Sequence, residues 1–387
     1  MSMLDTFISE ITPGTEKFII EQKPLLNILA SMQPICSKRT TLEATSYILF
    51  NVGPKELILK STDLEISLQS SYHLERSTFT DNRSFLVNGK RLFDIVKELE
   101  DLITFTFSSG QLSITAGSVK LALNVKDAQE FPPFPERIEN LMQLDAPFLL
   151  SLLEKVAFLI PQNNANPALN GLYLEISPAG LVLTTTDGHC LAQIQTSLYM
   201  LETKSCWLLP RRAVLELKKL LETANSNLFL GTCGNQLVFS GDTFNFFTKV
   251  LSTPFPEYKP ILERKGFVPA RIDKSALVKT LRRSSCLLSG QFIATTFGFK
   301  PESVDVSMHN KEVGKLEEKI QLKDFSGSEL DVKFYAPYLL SGLNAFSNDN
   351  LTFYLASAAK PIIFENAEDE KFNLTYLVMP VSSNQQQ

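Results

Sequence analysis

The chain has 387 residues, of which 44% are hydrophobic and 20% charged, with a formal net charge of −5. That length exceeds one ordinary core and suggests two to three domains, while no stretch approaches the ~18 uninterrupted apolar residues of a membrane helix. An acidic chain repels a polyanion in bulk, which excludes an ordinary basic DNA-binding domain unless positive charge is segregated onto one surface.

Residues 1–15 carry acids but neither the basic nor the apolar region of a secretory signal, so a loosely ordered extension of a cytoplasmic protein is expected there. From residue 16 one pattern recurs three times, predicting domains at 16–138, 139–264 and 265–382, with a polar tail at 383–387. Each copy opens with a strand and an apolar helical stretch, at 24–29, 147–153 and 275–281, with Asp145 and Asp273 placed as helix N-caps. Alternating strands follow at 57–63, 181–187 and 304–310, ending on Asp63, Asp187 and Asn310, about 124 residues apart; that period suits a domain and is too long for a solenoid unit. A strand then leads into a second helix at 85–95, 207–215 and 332–340, and copies one and two close on Phe131-Pro132 and Phe255-Pro256. The expected fold class is α+β: three similar domains, each with two helices packed by one apolar face on antiparallel sheets.

Five scattered cysteines (Cys36, Cys190, Cys206, Cys233, Cys286) without a CxxC pair read as reduced thiols. Three histidines with no ligand spacing give no reason to expect a metal or other cofactor. Asp187-Gly188-His189 is the sharpest chemical candidate, because a carboxylate orienting an imidazole supports general-base work. Asp-Gly between two alternating apolar runs is equally a hairpin turn. Structural turn, binding surface and catalysis all stay open on the residues alone.

Residues 61–65 (Ser-Thr-Asp-Leu-Glu), Thr186-Asp187-Gly188-His189-x-Leu191-Ala192, Phe255-Pro256-x-Tyr258 and Val378-Met379-Pro380 stand in order across roughly residues 17–381. Together these words resemble the bacterial DNA polymerase III beta subunit, the beta sliding clamp family. The resemblance implies a head-to-tail homodimer whose six domains close a ring around duplex DNA, with sheets outside and helices inside. It implies a non-enzymatic processivity factor whose partners are the DNA polymerase III catalytic subunit, an ATP-dependent clamp loader and other replication and repair proteins. No GxxxxGK[ST] is present for ATP hydrolysis by the chain itself.

Carried over position by position, the resemblance places Leu169, Thr186, Gly188, His189, Leu191, Pro256, Ile261, Val378, Met379 and Pro380 in an apolar cleft that takes a short linear motif of those partners. It puts Leu121, Leu123 and Leu287 near the dimer interface. Arg39 and Lys90 match positions implicated in DNA contact. The helical charge of Arg91, Lys97, Arg211, Arg212, Lys218, Lys219, Lys274, Lys279, Arg282 and Arg283 would face DNA if those helices line the ring. The chain departs from the pattern at Cys190 and Pro260, where arginines are usual, at the tail, and in the loop 163–168, which lacks the usual polar and aromatic residues. A less basic cleft is expected. Two other classes compete: a hydrolase using Asp187 and His189, and a strand-rich scaffold that never meets DNA.

Overall fold

The computed structural model describes residues 16–37, 40–108, 110–289, 292–366 and 371–381. The expected N-terminal extension, the polar tail and Arg39 lie outside the described residues. Six helices occur among the described residues, two in each sequence repeat: α1 Gln22–Cys36, α2 Gly89–Lys97, α3 Ala146–Val156, α4 Arg211–Leu221, α5 Lys274–Ser285 and α6 Ala336–Leu343.

Local chemistry explains these helices. Leu25, Leu29, Met32 and Ile35 of α1 are fully buried and recur at helical spacing, giving one apolar face. Helix α2 is capped by Asn88, whose side chain accepts from Arg91 N at 3.0 Å. It approaches α1 so closely that a Cβ at Gly89 would sit 2.8 Å from Cys36 Sγ. Asp273 caps α5 as its position predicted, accepting from Ala276 N at 2.6 Å. In α6, Gly342 leaves room for the Tyr376 ring, into which any Cβ would project.

Among the described residues every strand pair is antiparallel, in sheets of five, nine and twelve strands. The sheets do not stop at the repeat boundaries. In the nine-stranded sheet Ile66–His73 of the first repeat pairs with Phe244–Lys249 of the second, Leu68 opposite Phe246. In the twelve-stranded sheet Cys190–Thr196 of the second repeat pairs with Asn373–Val378 of the third, Leu191 opposite Leu377. The chain accordingly forms two compact units, Met1–Pro147 with Lys219–Lys249, and Phe148–Lys218 with Val250–Gln387. The second repeat is divided between them. Within the first unit, stacked rings at Phe18–Phe105 (4.9 Å), Phe50–Phe85 (5.4 Å) and Phe85–Phe107 (4.8 Å) fill the space beside the sheets.

The repeat persists at the level of single hydrogen bonds. Asp63 Oδ1 accepts from Glu65 N and Ile66 N, at 2.9 and 2.8 Å, while Thr62 Oγ1 accepts from Leu64 N. Asp187 Oδ1 accepts from His189 N and Cys190 N, at 2.8 and 2.7 Å, while Thr186 Oγ1 accepts from Gly188 N. Asn310 Oδ1 accepts from Glu312 N and Val313 N, at 2.9 and 3.3 Å. An Asx turn closes each hairpin because a short side-chain oxygen can stand in for a backbone acceptor. The residue after the first two Asp positions is left-handed in both turns, Leu64 with φ 74° and Gly188 with φ 95°.

Candidate binding cleft

The expected cleft residues all lie in the second unit, and its strands bring most of them together. The turn from Thr186 to Leu191 presents His189 and Gly188 to solvent. Met379 N donates to the His189 carbonyl at 2.9 Å, which brings the chain's Met379-Pro380 segment alongside that turn. Leu169, 8% exposed, closes a short 3-10 turn capped by Asn166, and its Cδ1 lies near Gly188. The loop 163–168, expected to lack the usual polar and aromatic residues, carries Asn163, Asn164 and Asn166, and Asn164 supports the turn: its Nδ2 donates to the Asp187 carbonyl at 3.4 Å and its N–H to Asn170 Oδ1 at 2.7 Å.

Leu191, Tyr258, Ile363 and Leu377 form a buried apolar cluster, and Tyr173, Phe255, Leu262, Phe267, Tyr354 and Met379 pack against it. Phe255 stacks on Tyr173 at 4.9 Å, and Tyr258 meets both rings edge-on. Pro256 and Ile261 belong to this 255–262 segment, Pro256 half-buried and Ile261 44% exposed.

Strand alternation sets Val378 apart from its two neighbours. Val378 is fully buried and pairs opposite Cys190, whereas Leu377 and Met379, on either side of it, join the cluster with Leu191. Successive side chains of a strand point to opposite faces, so Leu377 faces this cluster and Val378 the opposite side of the sheet. The sequence reading also missed Tyr173, Tyr258, Ile363 and Tyr338 as contributors. Tyr258 stood in the Phe255-Pro256-x-Tyr258 word; nothing local marked the other three.

Asp187 serves the backbone of its own turn: its Oδ1 accepts from two N–H groups. The His189 ring stacks on Tyr338, with centroids 5.4 Å apart and planes 17° apart. Cys190 lies inside, 1% exposed; burial, and then the nearby Asp187 charge, push its thiol up to about 12, so it is held neutral. No group of His, Cys, Asp or Glu among the described residues could hold a metal ion.

The expected DNA-facing cations divide. Lys90 and Arg91 on α2, Lys97, and Arg282 on α5 are exposed. Arg212 and Lys218 on α4 are half-buried. Arg211 Nε donates to the Ile160 carbonyl at 3.0 Å, and Lys274 Nζ to the Phe346 carbonyl at 2.6 Å. Arg283 is held by Glu318 through Nε to Oε2 at 3.0 Å and a second contact from its terminal nitrogen. These three hold the fold as well as carrying charge.

Of the expected interface residues, Leu121 is 40% exposed on the outer strand Val119–Asn124 of the five-stranded sheet, beside Val119 at 41%. Leu123 and Leu287 are half-buried. Leu121 is therefore no core residue. No helix of the described residues is long and apolar enough to cross a membrane.

Comparison with known proteins gives one family. The models described as the N-terminal, central and C-terminal domains of the DNA polymerase III beta subunit match residues 16–135, 143–257 and 263–382. The beta sliding clamp of Haemophilus influenzae is 28% identical over 368 residues, spanning 94% of this chain and 99% of that protein; that of Vibrio cholerae is 26% identical with the same coverage. Among solved structures, the Pseudomonas aeruginosa sliding clamp bound to griselimycin aligns with a TM-score of 0.87 at 25% identity, covering 95% of this chain and 100% of that one. The Bacillus subtilis clamp aligns with a TM-score of 0.88 at 22% identity, covering 95% and 99%, which supports the fold.

Proposed function

The chain belongs to the DNA polymerase III beta subunit family, and from that premise we propose that it works as a DNA sliding clamp, two copies closing head to tail into a ring of six domains. The domains are those of the repeat, 16–138, 139–264 and 265–382. The single observation that carries this reading is the ordered match of all three domain models along one chain. A head-to-tail contact that closes by rotation makes a ring, and it would cover the strand edge at Val119–Asn124, where apolar side chains otherwise face water.

The ring performs no bond chemistry. Exposed cations such as Lys90, Arg91 and Arg282 attract phosphates without reading bases, which gives weak, salt-dependent contact that permits sliding. Closure, rather than affinity, keeps the ring on duplex DNA. The cleft built on Leu191, Leu377, Met379 and Tyr258 takes a short apolar motif of the polymerase catalytic subunit, the clamp loader or a repair protein. A polymerase held there meets the primer end at high effective concentration and rebinds quickly after letting go.

The test is loading onto DNA. Placed on a nicked circle by its own clamp loader and ATP, the protein stays bound through gel filtration in high salt and is released when the circle is linearised. Loss from the intact circle would reject the ring and favour a scaffold that does not encircle DNA.

A further inference from the structure

One segment of chain holds both halves of a water-facing aromatic pair. His189 stands on the turn from Thr186 to Leu191, and its ring stacks on Tyr338 in the first turn of α6. Water reaches both rings, His189 being exposed and Tyr338 half-buried. Such a pair gains only modestly from its own contact, so its geometry depends on the backbone beneath each ring. Helix α6 does little to fix its own start. It is eight residues long, Tyr335 at its N-cap makes no side-chain capping hydrogen bond, and its first turn has no acidic residue.

The strand Asn373–Val378 and the residue after it supply the missing support. On the turn side, Met379 N donates to the His189 carbonyl at 2.9 Å. On the helix side, Tyr376 Oη donates to the Tyr338 carbonyl at 2.6 Å. Ser341 Oγ reaches that carbonyl at 2.9 Å from within the helix, whereas Tyr376 ties it to the sheet. Tyr376 is 1% exposed, and burial pushes its phenol up, so the hydroxyl keeps its proton and donates. The ring has no room to swing away. It lies against α6 at Gly342, where no Cβ fits, and Phe158 packs on it with centroids 6.0 Å apart. The neutral Cys190 thiol meets its hydroxyl.

We infer that Tyr376 is a positioning residue for partner binding. It is too deeply buried to touch a partner, and strand alternation turns it to the side of the sheet opposite Leu377 and the apolar cluster. Its hydroxyl fixes the first turn of α6, which keeps the Tyr338 ring on His189, and the two rings form one wall beside Gly188 and Met379. The inference rests on the reading of this region as the cleft for the polymerase catalytic subunit.

The experiment compares Y376F with wild type, both as the full chain; phenylalanine keeps the ring and removes only the hydroxyl. Surface plasmon resonance gives the dissociation constant for the purified DNA polymerase III catalytic subunit. NMR of histidine-labelled protein gives the imidazole C–H resonance of His189, assigned among the three histidines with H189Q. Y376F should weaken polymerase binding about threefold to tenfold, the size of one net hydrogen bond. It should also move the His189 resonance downfield as the Tyr338 ring leaves it. Y338L should weaken binding at least as much, and adding Y376F to it should change nothing further, because the hydroxyl acts through that ring. A lower melting temperature in Y376F with both readouts unchanged marks a purely structural role and overturns the proposal. Weaker binding with an unmoved resonance, or fully additive losses in the double variant, overturns it too. If Y376F does not fold, F158A decides by the same two readouts, since it loosens the same ring from a position 41% exposed. A wild-type chain that does not bind the polymerase rejects the cleft reading instead, and the resonance alone then decides whether Tyr376 sets the stack.

Discussion

Replacing Asp187 by alanine tests the role assigned to the cleft turn. One carboxylate oxygen accepts from His189 N at 2.8 Å and from Cys190 N at 2.7 Å. Hydrogen bonds to charged groups contribute about 1.5–3 kcal/mol each, and a buried donor left without a partner costs about 1–3 kcal/mol. His189 is exposed, so water replaces its lost acceptor at small cost. Cys190 is 1% exposed, and its N–H finds no such substitute. The D187A loss is then about 2–4 kcal/mol, concentrated in the turn, whereas D187N keeps an accepting oxygen and loses under about 1 kcal/mol. Native-state hydrogen exchange at the Cys190 amide reads this directly, and 2–4 kcal/mol corresponds to roughly 30-fold to 1000-fold faster exchange. Because Met379 N is tied to the His189 carbonyl, the Met379 amide should also lose protection. Equal exchange in D187A and wild type, or equal effects of D187A and D187N, would refute the assignment of the carboxylate to the backbone. The hydrolase alternative makes a different forecast: an activity lost in D187A with the turn intact.

Two further outcomes follow from ionisation and burial. Native alkylation with iodoacetamide near pH 8, read by mass spectrometry, should label exposed Cys206 and Cys286 and spare Cys36 and Cys190, which are buried and whose thiols burial pushes up to about 12; rapid labelling of Cys190 in folded protein would contradict the packing. Glu175 is nearly enclosed beside Lys204 at 2.9 Å and Lys259 at 3.6 Å. Burial pushes its carboxyl up, but the Lys204 hydrogen bond and the two ammonium charges outweigh it and hold the group below its ordinary value of 4.5. A depressed folded-state pKa contributes stability above the unfolded value, lost as pH falls through the folded one. E175Q should therefore melt below wild type at pH 7, and the gap should close as pH drops below about 4. A gap independent of pH would assign the effect to packing.

The repeat, the helices and the hairpin turns were legible in the sequence because each rests on local chemistry. Apolar spacing in 24–29 and 275–281 predicted α1 and α5, Asp273 predicted a cap, and Asp63, Asp187 and Asn310 marked three turns of one design. The words around Asp187, Phe255 and Met379 also marked segments that meet in the second unit. Tertiary structure decided what depends on partners distant in the chain. Strand pairing between Leu68 and Phe246, and between Leu191 and Leu377, carried sheets across the repeat boundaries and divided the second repeat between two compact units. The same register put Leu377 rather than Val378 into the cluster with Leu191, since a shift of one residue reverses every side chain in a strand. Arg283 read as a free cation until Glu318, 35 residues away, was brought beside it. Asn310 read as a third copy of an aspartate until its amide proved to hold Leu287. Local preferences are written in neighbouring residues; register, burial and the partner of a charge are settled only when remote strands meet.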